Sequence, residues 1–282
     1  MRKLYEDATL PAGNVSATAP ILNRVQGMVR TGIIPERAEV LGVTELVNAV
    51  GVRGVPMTAG YNPMLYSQYA SAFGASSYVQ RLSERTFTEL APRYDSPAFD
   101  LLGLRVIVSR ESLEGAVEAN GVHWKLRQSV LPRVLNPTIV REHPGPLPPA
   151  DAFQSTDFRK EVWLSESALG ATACARHDGG VAQVKPLSYR ANSVEIAYRS
   201  ERPAWIVLNE IDAPGWWAEV DGQEVTLLRA NALFRGACVP AGTGHLTFHF
   251  SPRRMVELRW AKRRNSGPID ASSAASAVGT AN

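Results

Sequence analysis

Nowhere in these 282 residues does an apolar run approach the roughly 18 residues that a membrane-crossing helix requires. The opening stretch, MRKLYEDATLPAGNV, has basic residues with no apolar segment behind them, so no signal peptide is expected and the chain as written reads as soluble. Cysteine is scarce. Cys174 and Cys238 allow one bridge at most, and they show neither CxxC nor metal-ligand spacing, so the redox compartment stays open. The histidines are badly placed for chemistry. His245 and His249 share the strand-like run HLTFHF, which sets their Cα atoms about 13 Å apart, too far for joint ligation. His177 reads as part of a turn with Gly179-Gly180, His123 begins a strand, and His143 sits in a proline-rich stretch.

GxSxG, HExxH and a glycine-rich phosphate loop are all absent. Glu210, Asp212 and Asp221 are carboxylates of the kind that work in pairs on sugars, but nothing in their spacing ties two of them together. No catalytic residue, metal or cofactor is therefore expected. A basic face is also missing. Arg253, Arg254, Arg259, Lys262, Arg263 and Arg264 against Glu257 give 253–264 a net +5, which leaves −2 for the rest of a chain whose total is +3. Basic charge confined to one end reads as a solvated tail, and no nucleic-acid partner is expected.

What the chain does have is a globular composition, with 20% charged and 8% aromatic residues, and length enough for two modest domains or one large one. Residues 1–35 are punctuated by Pro11, Gly13, Pro20, Gly27, Gly32 and Pro35 and read as irregular. A small α/β region is expected over 36–141: a helix opening at Pro35 and stopping near Gly51, a short strand at GVPMT, a helix from Asn62 to Gly74, another over 77–90, and a short one from Ser96-Pro97 to Gly103. The strands LRVIVS, HWKLRQS and RVLNPTIVRE follow. EHPGPLPPADAFQ, 142–154, reads as a linker. From 155 to 260, short runs such as EVWLSE, NSVEIAYRS, AWIVLNEI, EVTLLRA and HLTFHFS alternate with turn residues, as in an antiparallel β-sandwich. Residues 261–282 are small and polar and read as disordered. The expected class is α+β: a small N-terminal α/β region followed by a C-terminal antiparallel sandwich.

The most informative stretch is PGWWAEVDGQEVTLLRANALFRG, 214–236. Asp221-Gly222 is a type I′ hairpin signal, because both central residues need positive φ. That turn pairs Val220 with Gln223, Ala218 with Val225 and Trp216 with Leu227, an almost wholly apolar face that belongs to the core. On the other face Trp217 opposes Thr226, and Glu219 opposes Glu224. Two facing carboxylates need a cation between them, for which Arg229 is the candidate. Trp216 is then the core tryptophan. Trp217 is either covered by the LNEIDAP loop or the N-terminal region, or left to stack on a sugar, since indole faces suit the apolar faces of sugars. Arg229, Asn231 and Arg235 on the return path suit a polyol or phosphate, while an Asn at this position also fixes turns through its own side chain. The candidate ligand-binding residues are Trp217, Arg229, Asn231 and Arg235.

The ordered elements Pro214-Gly215-Trp216, Val220-Asp221-Gly222, Arg229-Ala230-Asn231, Phe234-Arg235 and Val239-Pro240-Ala241-Gly242 resemble the extracytoplasmic tail of bacterial YfhO-like membrane proteins, which are similar to C-type (lipid-sugar-dependent) glycosyltransferases. Fainter echoes lie upstream in GYNPMLYSQYA, LLGLRVIVS and VLPRVLNP, so the resemblance spans roughly 55–252. Family members carry many membrane helices, and in C-type glycosyltransferases the catalytic carboxylate is expected in an early loop of the membrane part. No position here matches that carboxylate, and Asp212-Ala213 stands where an aromatic residue usually precedes PGW. The resemblance implies a non-catalytic, extracytoplasmic accessory module. Such a module would brace a membrane-embedded partner protein or hold a cell-envelope glycan. The alternative is a free-standing carbohydrate-binding or protein-interaction module, cytoplasmic if the chain is expressed alone.

Overall fold

A computed structural model describes residues 12–58, 69, 95–145, 148, 151–165, 174 and 179–257. The fold is α+β, with an N-terminal α/β layer followed by a β-sandwich. In chain order the elements are α1 (Ala12–Val29), β1 (Arg37–Leu41), α2 (Thr44–Val52), α3 (Pro97–Leu101), β2 (Leu104–Ser109), β3 (Val117–Ala119), β4 (Val122–Leu126), β5 (Val134–Leu135), β6 (Ile139–His143), α4 (Ala152–Ser155) and β7 (Glu161–Ser165). The sandwich strands follow: β8 (Ala182–Arg190), β9 (Ser193–Ser200), β10 (Ala204–Ile211), β11 (Trp216–Val220), β12 (Gln223–Val225), β13 (Leu227–Ala230), β14 (Phe234–Val239) and β15 (Gly242–Phe250). They build a four-stranded sheet β1-β2-β4-β3, a six-stranded sheet β5-β10-β14-β13-β7-β6 and a five-stranded sheet β12-β11-β15-β9-β8.

Strands β10 and β14 of the six-stranded sheet are buried on both faces, which explains why AWIVLNEI and FRGACV read as near-continuous apolar runs. One face of β10 and β14 sends Ile206, Leu208, Ala237 and Val239 against Val194, Ile196, Ala218 and Phe248 of the five-stranded sheet. The other sends Trp205, Val207 and Phe234 against Phe99, Leu102, Phe153 and Phe158 of the α/β layer. A Cys174–Cys238 disulfide ties residue 174 to β14 on that second face. Beyond it, α1 and α2 cover the far face of the four-stranded sheet through Ile21, Leu22, Val25, Leu46 and Val50 on Val106 and Val108.

Several expectations change. Residues 12–29 are helical rather than irregular: Ile21, Leu22, Val25 and Val29 recur at helical spacing and are buried, which outweighs the backbone bond lost at Pro20. The helix expected from Pro35 to Gly51 is two elements. Arg37–Leu41 pairs in parallel with β2, Gly42 turns the chain at φ 65°, and only then does α2 begin. GVPMT makes a single bridge, Met57 to Ala38. Ser96-Pro97 and Gly103 bound α3 as expected, with Gly103 at φ 69°. Strand β8 is not among the expected strands; Pro186 lies inside it, which is tolerated on this outer strand beside a register shift. The proline-rich 142–154 connects β6 to its parallel neighbour β7, so it joins two strands of one sheet, and β5 and β6 belong to the sandwich. The helices expected over 62–74 and 77–90, Tyr69 aside, and the tail 261–282 lie outside the described residues.

Candidate functional site

The 214–236 hairpin begins as its side-chain period demands. Asp221 and Gly222 sit at φ 48° and 83°, and Val220 pairs with Gln223, Glu219 with Glu224 and Ala218 with Val225. Pairing then stops. Trp216 does not meet Leu227, because Thr226 carries the chain across to the six-stranded sheet, where Leu227–Ala230 pairs with β14. Trp216 and Trp217 keep their partners on β15, Phe250 and His249, but no strand lies along their other edge. The gap so opened is a cleft of about 660 Å³ lined by Asp212, Trp216, Trp217, Glu224, Arg229 and Arg254, among others. The missing pair makes the site.

Both indoles are held from behind. Trp216 lies on the inner face of the five-stranded sheet, as expected, yet it is half-buried rather than enclosed. The Arg235 guanidinium sits 3.4 Å from its ring centre, and Phe250 packs at 5.4 Å. Trp217, on the outer face, stacks on His249 at 4.7 Å with the rings 24° apart, and Arg254 lies 5.4 Å from its centre. Gly215 permits this entry to β11: at φ 101°, a Cβ there would meet Met255, Phe250 and the Ser251 carbonyl oxygen at 2.9 Å.

The facing carboxylates Glu219 and Glu224 are compensated, though not by Arg229. His249 Nε2 lies 3.0 Å from Glu219, and Arg254 grips Glu224 with both guanidinium nitrogens, Nη1 at 3.1 Å. Arg229 instead faces Asp212 at 3.6 Å. Burial pushes the Asp212 carboxyl above the usual carboxylate range, against the opposing pull of Arg229 and Arg235.

Of the four residues singled out from the sequence, the structure brings Trp217 and Arg229 to the cleft. Asn231 is placed elsewhere. It is 1% exposed at φ 48°, its Oδ1 accepts from the Trp163 N–H and its own N–H donates to the Trp163 carbonyl, so it fixes the β13–β14 turn to β7. Arg235 is buried behind Trp216, where its Nε donates to the Ile211 carbonyl. Burial, opposed by Glu210 and Asp212, lowers its pKa to about 10. From the sequence, Asp212 is a candidate only as a catalytic carboxylate, and Arg254 belongs to a basic tail. No local signal placed Arg254 here; it arrives because the chain turns helical at 252–257 and folds back on the hairpin.

A second charged cluster lies deeper. Glu210 Oε1 accepts from Arg133 and from the Tyr189 hydroxyl at 2.8 Å, and its other oxygen is 3.6 Å from Arg37. Arg37 also donates to the Leu102 and Asn209 carbonyls, and Arg133 to that of Pro35. Arg37 comes from β1 and Tyr189 from β8, so this cluster pins the α/β layer and both sandwich sheets together. No family model matches the sequence, and neither does any curated protein or solved structure.

Proposed function

We propose that the tryptophan cleft is a glycan-binding site on a non-catalytic accessory module, of the kind found with YfhO-like membrane glycosyltransferase systems. The observation that carries this reading is the pair of adjacent indoles lining one open cleft, each backed by a fixed partner, with hydrogen-bonding groups at the rim. Clefts that take ligands combine apolar walls with a few placed polar groups, and Val225, Leu227 and Pro214 supply more of the wall here. A sugar seated on Trp217 displaces Arg254. That is cheap, because Arg254 and Glu224 are 36% and 54% exposed and such surface pairs are worth about 1 kcal/mol or less. The Cys174–Cys238 bridge supports an oxidising, extracytoplasmic setting. No described helix is long and apolar enough to cross a membrane.

The test is titration of cell-envelope glycans into the full chain, followed by the indole N–H signals in NMR spectra. Binding in the high-micromolar to millimolar range is expected, because one stacked ring adds only about 1 kcal/mol and association entropy opposes it. Shifts confined to Trp216, Trp217 and their neighbours, and lost in Trp217→Ala, are the expected result. If no glycan moves these signals while a membrane partner does, the module is a brace and the sugar reading falls.

A further inference from the structure

The inner wall of the cleft holds more positive charge than its carboxylates balance. Arg229 and Arg235 stand directly opposite one another on β13 and β14, on one face of the sheet. Like charges in that relation repel, and the acid beside them, Asp212, lies 3.6 Å from Arg229. Glu210 is already engaged by Arg133 and Tyr189, with Arg37 beside it. Arg229 and Arg235 against Asp212 leave the inner end of the cleft at +1. Arg235 is 4% exposed, and its Nη1 is buried without a hydrogen-bond partner. A buried guanidinium nitrogen with no acceptor is costly, and a group that supplies negative charge nearby offsets that cost.

From this juxtaposition we infer that the cleft selects an acidic sugar, with the sugar ring against the tryptophans and its carboxylate or phosphate seated beside Arg229. The inference rests on the glycan-binding reading. Arg229 is the residue that meets the anion, being 37% exposed and part of the cleft wall. Arg235, behind the Trp216 ring, contributes its field and holds the ring in place. The outer rim adds no net charge, since Arg254 is neutralised by Glu224. The selectivity therefore resides at the inner end.

Three probes separate the possibilities: a glucose tetrasaccharide, a glucuronate tetrasaccharide of the same linkage, and the glucose tetrasaccharide carrying one phosphate monoester. Each is titrated into the full chain at low and moderate salt. The anionic probes are expected to bind about tenfold more tightly than the neutral one, as charge-assisted hydrogen bonds do, with the advantage shrinking as salt rises. Arg229→Gln removes that advantage, while Arg229→Lys, which keeps the charge, retains part of it. Whichever anion gains more identifies the source of the charge. Equal binding of neutral and anionic probes, or a preference that survives Arg229→Gln, overturns the inference and leaves the sugar reading standing. If none of the probes shifts the Trp216 and Trp217 indole signals, both fall together.

Discussion

Glu210 and Asp212 lie at the same end of β10, yet their surroundings treat them in opposite ways. Burial raises the pKa of each, but around Glu210 the combined pull of Arg37, Arg133 and the Tyr189 hydroxyl wins and holds the carboxyl below its usual range. Around Asp212 burial wins, because Arg229 stands at 3.6 Å and Arg235 is turned onto Trp216. The first cluster is closed: its arginines are buried and their donors go to Glu210 and to the backbone carbonyls of Leu102, Asn209 and Pro35. The second opens onto the cleft. The lesson is that an arginine-carboxylate pair is a fastener where it is enclosed between layers and is available for recognition where its arginine lines an open cleft.

The sharpest way to break this comparison is to unfasten the closed cluster. Glu210→Gln leaves Arg133 and Arg37 buried without a counter-charge and is expected to cost about 3–5 kcal/mol in denaturant melts. Trp216→Ala comes next, at about 3 kcal/mol, since it removes a large half-buried ring and the platform over Arg235. Trp217→Ala, on the outer face, is expected to cost about 1 kcal/mol or less while abolishing ligand-induced shifts. If Trp217→Ala proves the more damaging to stability, the faces of β11 have been assigned the wrong way round.

The smallest effect is in pH dependence, and its sign differs between the two carboxylates. The depressed Glu210 contributes stability that is present at neutral pH and is lost as pH falls through its folded pKa. The raised Asp212 takes up a proton on folding, so its contribution favours the native state at acid pH and fades as pH rises through its folded value. Asp212→Asn is therefore expected to be neutral or slightly stabilising at pH 7, and Glu210→Gln to flatten the acid limb of the stability curve. Melts of both variants from pH 3 to pH 7 check the signs.

The sequence reading succeeded where one local rule sufficed. Asp221-Gly222 set the turn, and alternation then placed Trp216 inward and Trp217 outward, as found. It failed where a distant element intervened. Alternation alone carried the hairpin on to a Trp216–Leu227 pair, whereas the chain leaves the sheet at Thr226 to satisfy β14. Proline misled at Pro20, inside α1, because tertiary burial removes the usual objection there. Two residues that line the cleft, Trp217 and Arg229, were legible in the sequence. Arg254 was not, since its partnership with Glu224 spans the whole of β13 to β15 and depends on the helical turn at 252–257.

The most direct test compares the two clusters in a single titration. The full chain, labelled with ¹⁵N, is titrated with the glucuronate tetrasaccharide, and the indole N–H signals of Trp205, Trp216 and Trp217 are followed together with the Tyr189 and Asn209 amides. The account predicts that Trp216 and Trp217 shift while the fully buried Trp205 and the amides of the closed cluster remain still. Shifts centred on Tyr189 and Asn209, with the two cleft tryptophans unmoved, would contradict it.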